Sequence, residues 1–182
     1  MRPGHKGASA LVFVLALAVV ATSGCGNDLG KEADEGVPIQ LGSLKLNVQE
    51  TRFLNPAQPD DKQYLAGQRV PPPAGTAYLG VFLTINNEGD TAVRLPGPPQ
   101  ISVTDTTGAS YQAIPSSTPF AAPLGTALPA GGDIPAPGTA AANGPTQGAI
   151  VLFLVPQGIG ENRPLKLEID FQGETGEITL DI

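Results

Sequence analysis

The sequence predicts an all-β domain, an antiparallel β-sandwich, on three observations. Beyond Ile39 the apolar residues recur with period two, which lines one face of a strand rather than one stripe of a helix. At least seven short strand candidates are separated by Gly, Pro, Asn and Asp, the residues that set turn geometry. No amphipathic run long enough for a helix of ten residues interrupts them.

Each element follows from its own pattern. Leu44, Leu46 and Val48 alternate along one strand. Tyr78 to Asn87 places Leu79, Val81, Leu83 and Ile85 on one face with Phe82 and Thr84 on the other, and ends in the turn-prone Asn86-Asn87-Glu88-Gly89-Asp90. Ala92 to Leu95 is a shorter strand, and Ile101 and Val103 alternate up to a hairpin turn at Asp105-Thr106-Thr107-Gly108, from which Ser110 to Ala113 returns. The continuous apolar run Ala149 to Val155, stopped by Pro156, fits a strand covered on both faces. Leu165, Leu167, Ile169 and Phe171 form one stripe and Ile178, Leu180 and Ile182 another, with a turn over Gln172 to Gly176 between them. Single-faced sheets need a second sheet against them, hence the sandwich. A closed barrel is the alternative, disfavoured because Ala92 to Leu95 is too short for an evenly closed wall.

Two stretches break the alternation. Asn55 to Gly75 contains Pro71-Pro72-Pro73, which fixes φ in succession and favours extended, unpaired backbone. Residues 114–147 hold 7 Pro, 5 Gly and 8 Ala, too few N–H donors for a central strand. A surface loop is expected there, idle rather than functional, with Phe120 and Leu124 as its candidate contacts to the body.

The amino terminus reads as an address. Arg2, His5 and Lys6 precede an uncharged run from Ala8 to Thr22, whose fifteen residues would span roughly 22 Å as a helix. That is short of the roughly 30 Å hydrocarbon core, so a cleaved signal is expected over residues 1–24 rather than a permanent span. The segment Ala21-Thr22-Ser23-Gly24-Cys25 resembles the lipobox of bacterial lipoproteins, with Thr22 standing where the pattern has an aliphatic residue. The resemblance implies lipidation of Cys25 and attachment to the extracytoplasmic face of the cell membrane through acyl chains such as palmitate. An ordinary secretory signal beside an unmodified Cys is the alternative. Residues 25–38, polar and acidic, are expected to be a flexible tether that gives standoff, and residues 39–182 the sandwich.

A wider resemblance covers Leu44 to Ile182. YLGVFLTINNEGDTAV, the Asp-x-x-Gly turn ahead of Tyr111, and GAIVLFLVP late in the chain together resemble the immunoglobulin-like domain of bacterial lipoproteins known as domain of unknown function 4352. The resemblance implies an immunoglobulin-like sandwich and an extracytoplasmic location. The long Pro-rich insert before Gly148 departs from the family pattern.

Composition bears on chemistry by elimination. His5 and Cys25 are the only imidazole and thiol, so a chain processed at Cys25 has no His for a catalytic triad and no Cys-His pair, and zinc or copper sites built on them are excluded with them. No enzyme, no cofactor and no metal site is expected. Asp60, Asp61, Glu88, Asp90 and Asp105 offer oxygen ligands, but lack calcium-loop spacing and read as turn residues. With Arg2 and Lys6 removed, 8 basic residues face 17 acidic ones, a formal charge of -9 that disfavours nucleic acid and anionic headgroups as partners. The expected function is a binding or interaction module for an extracellular protein or envelope component. The alternatives are an accessory structural lipoprotein and a carrier of an apolar ligand between the sheets. Phe53, Tyr64, Phe82, Tyr111 and Phe120 are the aromatics expected outside the core.

Overall fold

Period-two burial organises the chain as the sequence predicts. The computed structural model describes residues 1, 4 and 29–182, so the signal segment and Cys25 lie outside the described residues. In chain order the strands are β1 (Glu32–Asp34), β2 (Ile39–Leu41), β3 (Leu44–Leu54), β4 (Thr76–Asn87), β5 (Val93–Arg94), β6 (Ile101–Thr104) and β7 (Ser110–Ile114). They continue with β8 (Ala127–Leu128), β9 (Asp133–Ile134), β10 (Ala149–Pro156), β11 (Leu165–Phe171) and β12 (Glu174–Leu180). A six-residue helix, α1 (Pro59–Tyr64), follows β3; Pro59 suits its first turn, and Asp60 and Asp61 there favour the positive end of the helix dipole.

Nine of the strands form one hydrogen-bonded path, β1-β12-β11-β6-β7-β10-β4-β3-β2, folded over on itself at β7, with β9 paired to β4 off the path and β5 paired to β8 as a separate two-stranded sheet. Ser110 to Gln112 pair with β6, whereas Ala113 and Ile114 pair with β10, so β7 changes sheets partway along. The two ends of the path therefore face one another. At Gly176 of β12 an added Cβ would lie 2.6 Å from Ile39 Cδ1 of β2, so only a residue without a side chain fits between the layers there. The space between the sheets is packed with Leu44, Leu46, Val48, Leu79, Val81, Leu83, Val151, Phe153, Leu165, Leu167, Ile178 and their neighbours. This is the predicted β-sandwich.

Local details follow from the pairing. The β3–β4 register shifts between Val48 and Glu50. Ahead of this bulge the even-numbered Leu44, Leu46 and Val48 point inward; beyond it Thr51 takes the inward place, and Arg52 and Leu54 turn outward. Without the extra residue, Arg52 would enter the apolar core. The hairpin between β6 and β7 closes as expected at Asp105–Gly108, with Gly108 at φ +83° and its N–H donating to Asp105 O at 2.9 Å. The turn between β11 and β12 is tighter than expected: Glu174 already pairs with Phe171.

Residues 32–38 correct the expectation of a tether reaching to Pro38. β1 adds to β12 in parallel, an exception to the otherwise antiparallel pairing of named strands. The chain then crosses to the other sheet, where the Gly36 N–H donates to Val48 O at 2.9 Å. Glu35 fastens this crossing. Its Oε1 accepts the Thr51 N–H at 2.9 Å and its Oε2 accepts the Asp181 N–H at 3.0 Å, so one carboxylate satisfies donors on both sheets. Backbone bonds and a charge hold this segment, which is why its lack of apolar residues suggested a free spacer.

Two variants test these contacts. Glu35→Ala is expected to lower stability by about 1–3 kcal/mol, read as a urea midpoint shift at unchanged slope, with Glu35→Gln intermediate because it keeps one acceptor. The Asp105 carboxyl is held below the ordinary carboxylate value by the Thr107 hydroxyl, with the Thr107 and Ala109 N–H groups and Asn162 assisting against desolvation. Its stabilising effect is therefore complete above about pH 4 and is lost as the pH falls through the lowered value. Asp105→Asn is expected to be less stable at neutral pH and to lose less on acidification, measured by thermal melts across the acid range.

Candidate functional site

The second sheet, β7-β10-β4-β3-β2, is covered on both faces. Its outer face carries Leu54, Tyr78, Phe82, Ile150 and Leu152, against which Tyr64 and Leu65 of the α1 region pack, with Phe120 from the Pro-rich segment beside them. The double coverage expected for Ala149 to Val155 is present. Tyr64 and Phe82, expected as available aromatics, are instead buried at 1% and 0% exposure, and the Tyr64 ring meets Phe82 and Phe120 edge-on at centroid distances of 5.1 and 5.0 Å. Tyr111 and Phe120 are half-buried, and Phe53 stays 38% exposed.

Arg52, turned outward by the bulge, completes this cluster. Its guanidinium lies 5.3 Å from the Phe82 ring centroid and 5.8 Å from that of Tyr64. It pairs with Asp61 through Nη1 and with Glu50 through Nε at 2.9 Å, while Asp61 Oδ2 accepts the Asn55 N–H at 2.7 Å. Asp61 is thus a buried counter-charge that docks α1. The acidic turn residues weighed as ligands are dispersed. Asp105 caps its own hairpin, Glu88 pairs with Lys45 at 3.7 Å, and Asp60 and Asp90 are exposed. Among the described residues no three His, Cys, Asp or Glu side chains gather into a group able to hold a metal.

The Pro-rich segment 114–147 is held to the body at several points. Ala121 bridges Ile150 in parallel, β8 pairs with β5, and β9 pairs with β4 at Ile85 and Asn86. Phe120 and Leu124 do pack against the body as expected. The larger anchor is Asn87, with 0% exposure. Its Nδ2 donates to Thr91 O at 2.8 Å and to Pro129 O at 2.9 Å, its N–H donates to Gly132 O at 3.0 Å, and its carbonyl accepts the Gly131 N–H at 2.9 Å. One side chain read only as a turn former therefore fixes the middle of the loop to the end of β4.

Held in this way, the loop walls a groove of about 860 Å³ on the outer face of the second sheet. Its floor is the outward side of β3 and β4, with Lys45 paired to Asn86 and Asn47 paired to Thr84 in the ladder. Pro135, Pro137, Ala142 and Gln147 form the opposite wall, and Gly148, at φ +105° with backbone of Leu83 2.9 Å from an added Cβ, closes it. The Asn86 amide donates to Asp133 Oδ1 at 2.6 Å, its ladder neighbour on β9. Asn47 Oδ1 is buried in the floor and has no hydrogen-bond partner among the described residues. Amide, hydroxyl and ammonium groups beside proline rings suit a polar ligand held by hydrogen bonds; no nucleophile-base pair is formed by the groove's lining.

No protein-family model matches the chain, and no curated protein matches it. Solved structures with a similar fold do exist. The yjhA protein of Bacillus subtilis is similar at 12% identity and TM-score 0.51, over 82% of this chain and 99% of that one. An uncharacterized beta-sandwich protein of Clostridium difficile 630 is similar at 13% identity and TM-score 0.49, over 82% of this chain and 93% of that one. MPT63, a secreted protein of Mycobacterium tuberculosis, is similar at 13% identity and TM-score 0.47, over 83% of this chain and 96% of that one. The likeness to the yjhA protein concerns the fold alone. Among the described residues no helix is long and apolar enough to cross a membrane.

Sequence reading did not single out Lys45, Asn47, Thr84, Asn86 or Gln147. For the four strand residues the only signal was alternation with buried apolar neighbours, which reads as an ordinary solvent face, and Gln147 in the Pro-rich segment carried none. Asn87→Ala is expected to cost about 2–3 kcal/mol in thermal or urea unfolding, because buried carbonyls lose their donor. Amide exchange at Gly131 and Gly132 is expected to accelerate in the same variant, more than exchange within β11 and β12.

Proposed function

We propose that the chain is an extracytoplasmic lipoprotein, anchored through Cys25, whose sandwich is a non-catalytic binding module that takes a polar partner in the groove between β3–β4 and the Pro-rich segment. The observation that carries this reading is the groove itself, a large recess lined by amide, hydroxyl and ammonium groups with a wall pinned by Asn87. A loop fastened at this many points is a preorganised wall, which lowers the ordering cost of binding. The lipobox resemblance supports the anchor, and the order of motifs supports kinship with the lipoprotein domain family it resembles. Beyond Cys25 the sequence holds no imidazole or thiol, which supports a role in binding rather than catalysis. The carrier alternative draws no support from the inter-sheet space, which is packed with apolar side chains.

Two measurements test the reading separately. Metabolic labelling with an alkyne fatty acid is expected to mark the wild-type chain, and Cys25→Ser is expected to abolish the label and release the chain from membranes. Crosslinked co-purification from envelope membranes is expected to recover a stoichiometric partner with the wild type and to lose it with Thr84→Trp, which fills the groove floor. A partner retained by Thr84→Trp at undiminished yield would move the binding surface elsewhere, and no partner at all favours the accessory structural role.

A further inference from the structure

The docking of residues 31–36 fixes where the chain leaves the body. The Glu177 N–H donates to Lys31 O at 2.8 Å and the Gln40 N–H to Gly30 O at 3.1 Å, so the backbone is held on the sheets from Gly30 onward. Leu29 and Lys31 line a shallow recess with Gly42, Lys45, Glu88 and Glu174. The strand directions place the Gly42-Ser43, Asn87–Thr91 and Gln172-Gly173 turns at this same end. The Asp105–Gly108 turn, Gln157 and the carboxyl terminus lie at the opposite end.

Covalent geometry then limits the reach of an anchor at Cys25. Four residue steps separate Cys25 from Leu29, and extended backbone covers at most about 3.6 Å per step, or about 14 Å. A free spacer reaching to Pro38 would have allowed about three times that. Charge at this end is partly neutralised, although the chain is acidic as a whole. Lys31 pairs with Glu174 at 3.0 Å and Lys45 with Glu88 at 3.7 Å, while Glu32, Asp90 and Asp133 are exposed. The Lys31 ammonium, with the Gly42 N–H, holds the Glu174 carboxyl below its usual range, so the pair persists at neutral pH.

We infer that this end of the sandwich, bearing the Gly42-Ser43, Asn87–Thr91 and Gln172-Gly173 turns, is a membrane-facing surface whose partner is the headgroup layer of the bilayer that holds the anchor. The inference rests on the reading of Cys25 as the attachment point. It also places the groove, because Lys45 and Glu88 belong to both the groove and this surface. A partner entering the groove approaches along the membrane rather than from open solution.

The chain contains no Trp, so single tryptophans report position without using the thiol. The form to use is the chain from Cys25 onward, which keeps every strand and the whole core, coupled at Cys25 to a maleimide lipid. It is inserted in vesicles of phosphatidylcholine and phosphatidylglycerol that carry a nitroxide on the phosphatidylcholine headgroup. Fluorescence of Thr91→Trp is expected to be quenched severalfold more than that of Gln157→Trp at the far end. Equal quenching, quenching of neither, or the reverse order overturns the inference. Chemical coupling makes this outcome independent of native acylation, which the fatty-acid label reads by itself, so failure of the orientation and failure of the anchor reading are told apart.

Discussion

The β4–β10 pair is apolar on both faces, and the rest of the molecule is arranged to keep both faces dry. Leu79, Val81, Val151 and Phe153 turn inward while Tyr78, Phe82, Ile150 and Leu152 turn outward, so one facing sheet cannot cover the pair. The second cover is assembled from irregular pieces. Tyr64 and Leu65 arrive with a helix of under two turns, and Phe120 comes from the Pro-rich segment. Neither piece has propensity enough to hold its shape alone. Polar contacts hold each in place: the Arg52–Asp61 pair docks α1, and Asn87 docks the loop.

The edges of the sandwich obey a related constraint. An open sheet edge presents unpaired N–H and C=O groups and invites association with another chain. Here the path closes on one side by passing β7 from sheet to sheet, and on the other by passing residues 31–41 across the gap. Glu35 sits at that second crossing with one oxygen on each sheet. The same crossing holds the backbone on the sheets from Gly30 onward.

The groove is a by-product of this cover. Phe120 and the Ala121–Ile150 bridge hold the start of the Pro-rich segment and β9 holds its middle, leaving the polar half of the β3–β4 face walled but unfilled. Its lining combines hydrogen-bond donors and acceptors with the charged Lys45, Glu88 and Asp133. The fold itself says little about the ligand, since sandwiches serve many unrelated roles.

What the sequence by itself determined was most of the strands, because alternation is a local property: side chains two apart share a face whatever lies opposite. The eight segments from Leu44 to Leu180 that alternate, or run apolar throughout, all form strands, and the Asp105–Gly108 hairpin turns where its residues demand. The tertiary structure decided what depends on pairing across distance. The bulge beyond Val48 leaves no mark in composition, yet it alone turns Arg52 outward. Residues 32–38 look like a spacer because their attachment uses backbone bonds and the Glu35 carboxylate, neither of which registers as apolar pattern. Asn87 reads as a turn residue until Pro129, far along the chain, supplies its acceptor. The groove draws its floor from residues 45–47 and 84–86 and its wall from residues 134–147, segments that only the folded chain brings together.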